Sequence, residues 1–140
     1  MQIFTLQTPL HLRLGRFFLR SDRLSNLHEF SIFAFMSKSE IYAMIKNTVS
    51  YYLPDARVLL FGSHARGNYN SHSDYDLLII TPNGLSEREK IIWSSKLDRA
   101  LVNAIHAPFD ILVYTEEDIT KKRELPGHIV RTAMREGVVL

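Results

Sequence analysis

The sequence predicts an α/β protein, and three patterns carry that prediction. Residues 58–80, VLLFGSHARGNYNSHSDYDLLII, read as a buried strand, a glycine-led turn and a second apolar strand. Apolar residues from Ile91 to Ile105 recur at helical spacing. Pro108 then introduces a third apolar strand that runs to Tyr114. Strands that alternate with helices are typical of α/β architecture.

The elements before the first turn can be placed from caps and breakers. Ser39 is a candidate N-cap for a helix whose apolar residues repeat until Pro54 ends it. Ala56 to Phe61 then forms a short apolar strand, which we expect in the centre of a sheet with Gly62 at its end. Residues 63–67 can form a short helix, and residues 68–71 read as a turn.

After the second strand, residues 81–84 are a strong turn signal. Ser86 and Glu89 form a capping-box pattern at the start of a long helix, in which Trp93 is expected to serve packing or a partner surface. Beyond the third strand, Thr115 opens a helix that the basic residues 121–123 close. A last short helix is predicted from Pro126 to Gly137.

Composition excludes several classes of protein. The chain has 140 residues, which suit one domain, and 46% hydrophobic and 23% charged residues, which are ordinary for a globular protein. It has no cysteine, so disulfides and thiolate metal sites are excluded and a cytoplasmic location is favoured. No apolar run approaches the roughly 20 residues of a membrane span.

The first 35 residues look unlike the rest of the chain. They contain four arginines and two acids, which leaves thirteen basic and thirteen acidic residues from Met36 onward. The body is therefore neutral and shows no basic stripe, so nucleic acid is not expected as a direct ligand. We expect residues 36–140 to form the functional domain. Residues 1–35 are then an extension arising from an upstream start, a partner-binding arm or, less in keeping with their pattern, a targeting segment.

Two acids on the second strand indicate a metal site. Asp74 and Asp76 are two residues apart, so strand geometry points both carboxylates to the same face. Like charges this close repel unless a cation lies between them, and oxygen ligands suit Mg²⁺. Gly62 lets the backbone approach a phosphate closely. A phosphate-binding turn followed by a metal-binding pair predicts a nucleoside triphosphate site.

These residues also resemble a known family. Gly62-Ser63, ten intervening residues and Asp74-Tyr75-Asp76 are similar to the signature of the DNA polymerase β-type nucleotidyltransferases. The fuller form, GSHARG followed by SDYDLLI, most resembles the minimal nucleotidyltransferases (MNT proteins) that pair with HEPN toxins in prokaryotes. The resemblance implies a polymerase β-like fold, in which a small mixed sheet is backed by helices.

The resemblance also implies a set of site residues. Asp110, at the head of the third strand, matches the third carboxylate of the family by its strand context, and a lone charge there would be costly to bury. The expected catalytic and metal-binding residues are thus Asp74, Asp76 and Asp110, with two Mg²⁺ ions and ATP as the substrate. The expected nucleotide-binding residues are Gly62, Ser63, Arg66 and Ser73.

The arginine and the histidines near the turn can each be interpreted in more than one way. Arg66 is equally suited to pairing with a triphosphate and to a structural salt bridge that steadies the loop. His64 and His72 lie in a polar stretch, where solvated histidines are commoner than metal ligands, and neither is assigned to a metal.

The function implied by the resemblance is transfer of AMP from ATP to a hydroxyl, expected to be a tyrosine, of a HEPN-type toxin by an antitoxin. A binding-only antitoxin and a small-molecule nucleotidyltransferase that acts as a dimer remain alternatives. The acceptor, the base of the nucleotide and the oligomeric state are not fixed by the sequence.

Overall fold

A computed structural model describes residues 36–70 and 73–140. The hypotheses about residues 1–35 therefore concern residues outside the described part of the chain, and residues 36–140 as the functional domain stay a prediction. The described elements, in chain order, are α1 (Lys38–Tyr52), β1 (Arg57–Phe61), α2 (Gly62–Arg66), β2 (Tyr75–Thr81), α3 (Glu87–Ile105), β3 (Phe109–Thr115), α4 (Glu116–Lys122), α5 (Ile129–Glu136) and β4 (Val138–Val139).

The four strands form one mixed sheet in the order β3-β2-β1-β4. β1 is antiparallel to both β2 and β4, whereas β2 and β3 are parallel and are joined by the crossover helix α3. The predicted small mixed sheet backed by helices is confirmed. The central strands β1 and β2 are nearly continuous apolar runs, as expected for strands that are covered on both faces.

Alternation along the strands divides the core into two layers. On one face, Leu60, Leu77 and Ile79 pack with residues of α1 and α3 in the larger cluster. On the other face, Phe61 and Leu78 pack with residues of α4 and α5 in the smaller cluster. The side chains of consecutive β2 residues therefore pack in different layers. A shift of one residue would exchange the two sets, so this packing fixes the register of the strand.

The starts of two helices differ from the sequence prediction. α1 is capped by Ser37 rather than Ser39, because Glu40 stands three residues after Ser37 and completes a capping box. The last helix begins after His128, whose imidazole accepts the Val130 N–H, and not at Pro126.

β4 was not predicted as a strand. Val138 and Val139 follow Gly137 directly and pair with β1 at Leu60 and Leu59. A strand of two residues leaves no periodicity for a sequence pattern to detect, and only the neighbouring edge of β1 selects the extended conformation.

A buried ion pair joins α3 to α4. Lys90 is 7% exposed, and its ammonium lies 2.6 Å from Asp118 and 2.7 Å from Glu87. Burial alone would raise the pKa of Asp118, but hydrogen bonds from Lys90 and Thr115 outweigh it and lower that pKa to about 2. Lys90 is the only lysine or arginine that is buried among the described residues, and the two carboxylates compensate its charge.

None of the helices described in residues 36–70 and 73–140 combines the length and apolarity that a membrane span requires.

We expect Lys90→Met to lower the free energy of unfolding by about 3 kcal/mol, because it leaves the Asp118 carboxylate without its buried cation. Urea unfolding at pH 7 measures this. Because the pKa of Asp118 is lowered from 3.8 to about 2, the pair stabilises fully above the unfolded pKa and is lost as the pH falls towards 2. The difference between wild type and variant should therefore shrink across that window.

Lys121→Met is the matched control, because Lys121 forms an exposed pair with Glu117 on the same helix as Asp118. It should leave stability almost unchanged. Equal losses in the two variants would contradict a structural role for the Lys90 pair.

Candidate active site

The register of the sheet brings the predicted acids together. Asp76 on β2 pairs with Asp110 on the parallel strand β3, so their side chains stand beside each other. Both lie on the face of the sheet that carries the smaller core cluster, with Leu78 and Leu112 two residues further along the strands. Asp74 immediately precedes β2. The expected position of Asp110 next to the pair, which rested on the family resemblance and on strand context, agrees with this register.

Gly62 is the point where β1 meets these acids. Phe61, the last residue of β1, pairs with Asp76, and Gly62 follows with φ +69°. A Cβ atom built on Gly62 would lie 2.0 Å from the Asp76 Oδ2. Glycine is therefore required at position 62 for two reasons: it adopts the left-handed backbone conformation readily, and it leaves room for the Asp76 carboxylate.

The electrostatics of Asp76 reflect this crowding. Its pKa is raised above the ordinary value, first because the carboxyl is desolvated and then because Asp110 and Asp74 repel its charge. His64 and Arg66 oppose the shift. A carboxylate whose charge is disfavoured by two neighbouring carboxylates is a group that a cation would stabilise.

The side chains of Asp74, Asp76 and Asp110 are not arranged as a complete set of metal ligands. Within residues 36–70 and 73–140, no three histidine or acidic side chains are grouped as metal ligands. The assignment of Asp74, Asp76 and Asp110 to metal binding therefore stays a prediction.

Three of the residues expected to contact the nucleotide are engaged in local structure. Ser63, near the start of α2, accepts hydrogen bonds through its carbonyl from the N–H groups of Gly67 and Asn68. The Arg66 guanidinium lies 2.8 Å from the Glu136 carboxylate and so joins α2 to α5. The Ser73 hydroxyl accepts the Asn70 N–H. Of the two interpretations of Arg66, the salt bridge is the one this arrangement displays, and the nucleotide contacts of all three stay predictions.

His64 is the residue that sequence reasoning misjudged. It was expected to be solvated, but it is 5% exposed and stacks on Tyr75. Its place in the short helix α2, one turn from a buried strand, is the signal that could have indicated burial. His72 lies outside the described residues.

The structure confirms the expected packing role of Trp93. It is partly buried against the larger core cluster, and the Lys96 ammonium lies 4.8 Å from the centre of its ring.

Comparison with known families decides the classification. The model of the nucleotidyltransferase domain family matches residues 43–139, which are well over half of the chain and include β1 to β4. This chain belongs to the nucleotidyltransferase domain family. The matched range contains Gly62, the three aspartates and the crossover between them.

Among curated proteins, this nucleotidyltransferase domain is 46% identical over 57 residues to the "Putative protein adenylyltransferase MJ0141" of Methanocaldococcus jannaschii. The match covers 38% of this chain and 58% of that protein. The domain thus spans little more than half the length of this relative.

Two solved structures share the fold. One, the "Structure of putative minimal nucleotidyltransferase", has a TM-score of 0.53 at 24% identity, with 76% of this chain and 98% of that chain covered. The other is the toxin–antitoxin MntA–HepT, with a TM-score of 0.50 at 16% identity, 73% of this chain and 70% of that chain covered. At this identity the likeness establishes the fold, and this is the fold that the resemblance of GSHARG and SDYDLLI implied.

We expect Gly62→Ala to destabilise the domain more than Gly67→Ala does. Gly67 also has a left-handed backbone, at φ +76°, but a Cβ there would meet nothing within 4 Å. Gly67→Ala should cost about 1 kcal/mol of backbone strain. Gly62→Ala should cost about 2 kcal/mol more, because its Cβ displaces the Asp76 carboxylate. Equal losses in urea unfolding would show that the close approach of Gly62 and Asp76 is unimportant.

We expect Asp110→Asn to lower the pKa of Asp76, because it removes a negative charge that disfavours ionisation of its neighbour. Titration of the Asp76 carboxyl carbon by NMR measures the shift. Asp55→Asn is the control, since Asp55 lies before β1, at the opposite end of the strand from Gly62. An Asp76 pKa that responds equally to both variants would refute the direct interaction.

Proposed function

We propose that this domain is a Mg²⁺-dependent protein adenylyltransferase, which transfers AMP from ATP to a hydroxyl group of a partner protein. The observation that carries the proposal is the register that sets Asp76 beside Asp110, with Gly62 directly against Asp76. Acids on adjacent strands next to a glycine turn suit a metal-bound triphosphate.

The donor set at this edge of the sheet fits Mg²⁺. All three candidate ligands are carboxylates, which are the hard oxygen ligands that Mg²⁺ prefers. Desolvation and the neighbouring Asp110 and Asp74 raise the pKa of Asp76, and a bound cation would offset these effects. Asp74 and Asp110 are exposed, so their side chains are accessible to an ion and to solvent. When bound, Mg²⁺ would neutralise triphosphate charge and polarise the α-phosphate.

In this proposal Asp74 and Asp76 would hold Mg²⁺, and the backbone at Gly62 and Ser63 contacts the β- and γ-phosphates. Asp110 would share the second Mg²⁺ ion and also accepts the proton of the acceptor hydroxyl. The hydroxyl oxygen bonds to the α-phosphorus, the bond from that phosphorus to the oxygen bridging it to the β-phosphate breaks, and pyrophosphate leaves.

The acceptor is proposed to be a tyrosine of a HEPN-type toxin, which makes this protein an antitoxin. Two likenesses support this step: the relative whose name states protein adenylyltransferase activity, and the MntA–HepT toxin–antitoxin structure that shares the fold.

Transfer of label from α-labelled ATP, with Mg²⁺, to the product of the adjacent gene tests the proposal. We expect labelled partner with wild type, and a loss on the order of 10³-fold, about 4 kcal/mol, with Asp76→Asn. Peptide mass spectrometry then identifies the acceptor residue, and an acceptor other than tyrosine would overturn that part of the proposal.

Asp55→Asn is the matched control and should transfer label at the wild-type rate. If the two proteins co-purify but no label is transferred, the partner is neutralised by binding alone. If label appears only on a small molecule, the acceptor is not a protein. Either result would contradict the proposed activity.

A further inference from the structure

Four aromatic rings form a continuous stack on the face of the sheet opposite the aspartates. The His64 imidazole lies between Tyr69, at a centroid distance of 4.3 Å, and Tyr75, at 3.8 Å, and is nearly parallel to both. Tyr75 in turn stacks on Phe109 at 5.3 Å. The stack therefore joins the loop after α2, α2 itself, β2 and β3.

Three of the four rings neighbour a residue of the proposed site in the sequence, and His64 does so by following Ser63. Tyr75 lies between Asp74 and Asp76, and Phe109 directly precedes Asp110. Because alternate strand residues point to opposite faces, rings on one face and carboxylates on the other share the same stretch of backbone. The rings therefore pack against the opposite face of the same backbone whose register sets Asp76 beside Asp110.

His64 connects this strand region to the phosphate-binding turn. It follows Gly62 and Ser63 in α2, and its Nε2 lies 3.0 Å from the carbonyl oxygen of Ser73, the residue before Asp74. The Lys38 ammonium, 3.4 Å away, donates to the His64 carbonyl and so joins α1 to the same point. His64 is buried, and these contacts hold its ring between the two tyrosines.

From this arrangement we propose that His64 is a positioning residue: its ring, stacked between Tyr69 and Tyr75, holds the Gly62-Ser63 turn at a fixed distance from Asp74, Asp76 and Asp110. The inference rests on the proposed function for its catalytic consequence. His64 contacts neither the nucleotide nor the metal in this proposal. Transfer depends on alignment of phosphates with acids, and displacements of about 1 Å can reduce rates about 100-fold.

Three variants test the role of the ring. His64→Ala removes the stacked ring, His64→Phe keeps a flat ring without the Ser73 hydrogen bond, and Leu101→Ala removes buried core volume on α3. At a temperature where all are folded, we expect His64→Ala to lower kcat about 100-fold while KM for ATP changes less. His64→Phe should recover kcat to within about 10-fold of wild type. Leu101→Ala should lower Tm and leave kcat unchanged.

The result that overturns the proposal is a wild-type kcat in His64→Ala, or a kcat in His64→Phe no higher than in His64→Ala. The proposal would also be overturned if, for the same fall in Tm, Leu101→Ala lowered kcat as much as His64→Ala does. The loss of kcat would then follow from general destabilisation.

A second readout needs no activity. The Tyr75 N–H donates to the Pro108 carbonyl at 3.0 Å, at the end of β2 that carries the acids. Its hydrogen exchange should accelerate more in His64→Ala than in Leu101→Ala when both are compared at equal global stability. Equal exchange rates would overturn the positioning role. If wild type transfers no label, the proposed function fails, and the exchange comparison still decides the role of His64.

Discussion

The close approach of Gly62 to Asp76 is the constraint on which the rest of the site depends. The antiparallel pairing of Phe61 with Asp76 leaves the chain turning into α2 directly over a carboxylate. Only a residue without a side chain fits there, and only glycine readily adopts the left-handed φ of the turn. Sheet register thereby brings the turn proposed to bind phosphate into contact with an acid proposed to bind metal.

This arrangement carries an electrostatic cost that suits its chemistry. Asp76 is half-buried, and both its burial and the neighbouring acids raise its pKa, so its charged form is disfavoured in the folded state. Groups held in such surroundings are found at functional sites, where a ligand of opposite charge relieves the cost. The Lys90–Asp118 pair shows the contrasting case, in which a buried acid has its cation within the protein and its pKa is lowered.

Much of the fold could be predicted, because its determinants are local. The apolar runs of β1 and β2, the Ser86–Glu89 capping box and the proline before β3 each leave a pattern within a few residues, and the structure confirms them. The neighbouring positions of Asp76 and Asp110 were also expected, from the family resemblance and the strand context of Asp110, and the register of β2 and β3 agrees with this.

The features that escaped prediction depend on partners distant in sequence. β4 exists because the edge of β1 offers hydrogen bonds to a two-residue segment. Arg66 is paired with a glutamate seventy residues later in the chain. His64 is buried because Tyr69 and Tyr75 converge on it from both sides, which a polar local sequence conceals. Composition and periodicity contain no information about such contacts.

Backbone NMR shifts of wild type and Asp76→Asn would map directly where Mg²⁺ and a non-hydrolysable ATP analogue bind. We expect shifts centred on Gly62, Ser63, Asp76 and Asp110 that require Mg²⁺ and are lost in the variant. Shifts centred instead on the exposed face of α3, or shifts of equal size in Asp76→Asn, would contradict a metal-dependent nucleotide site at the Gly62–Asp76 contact.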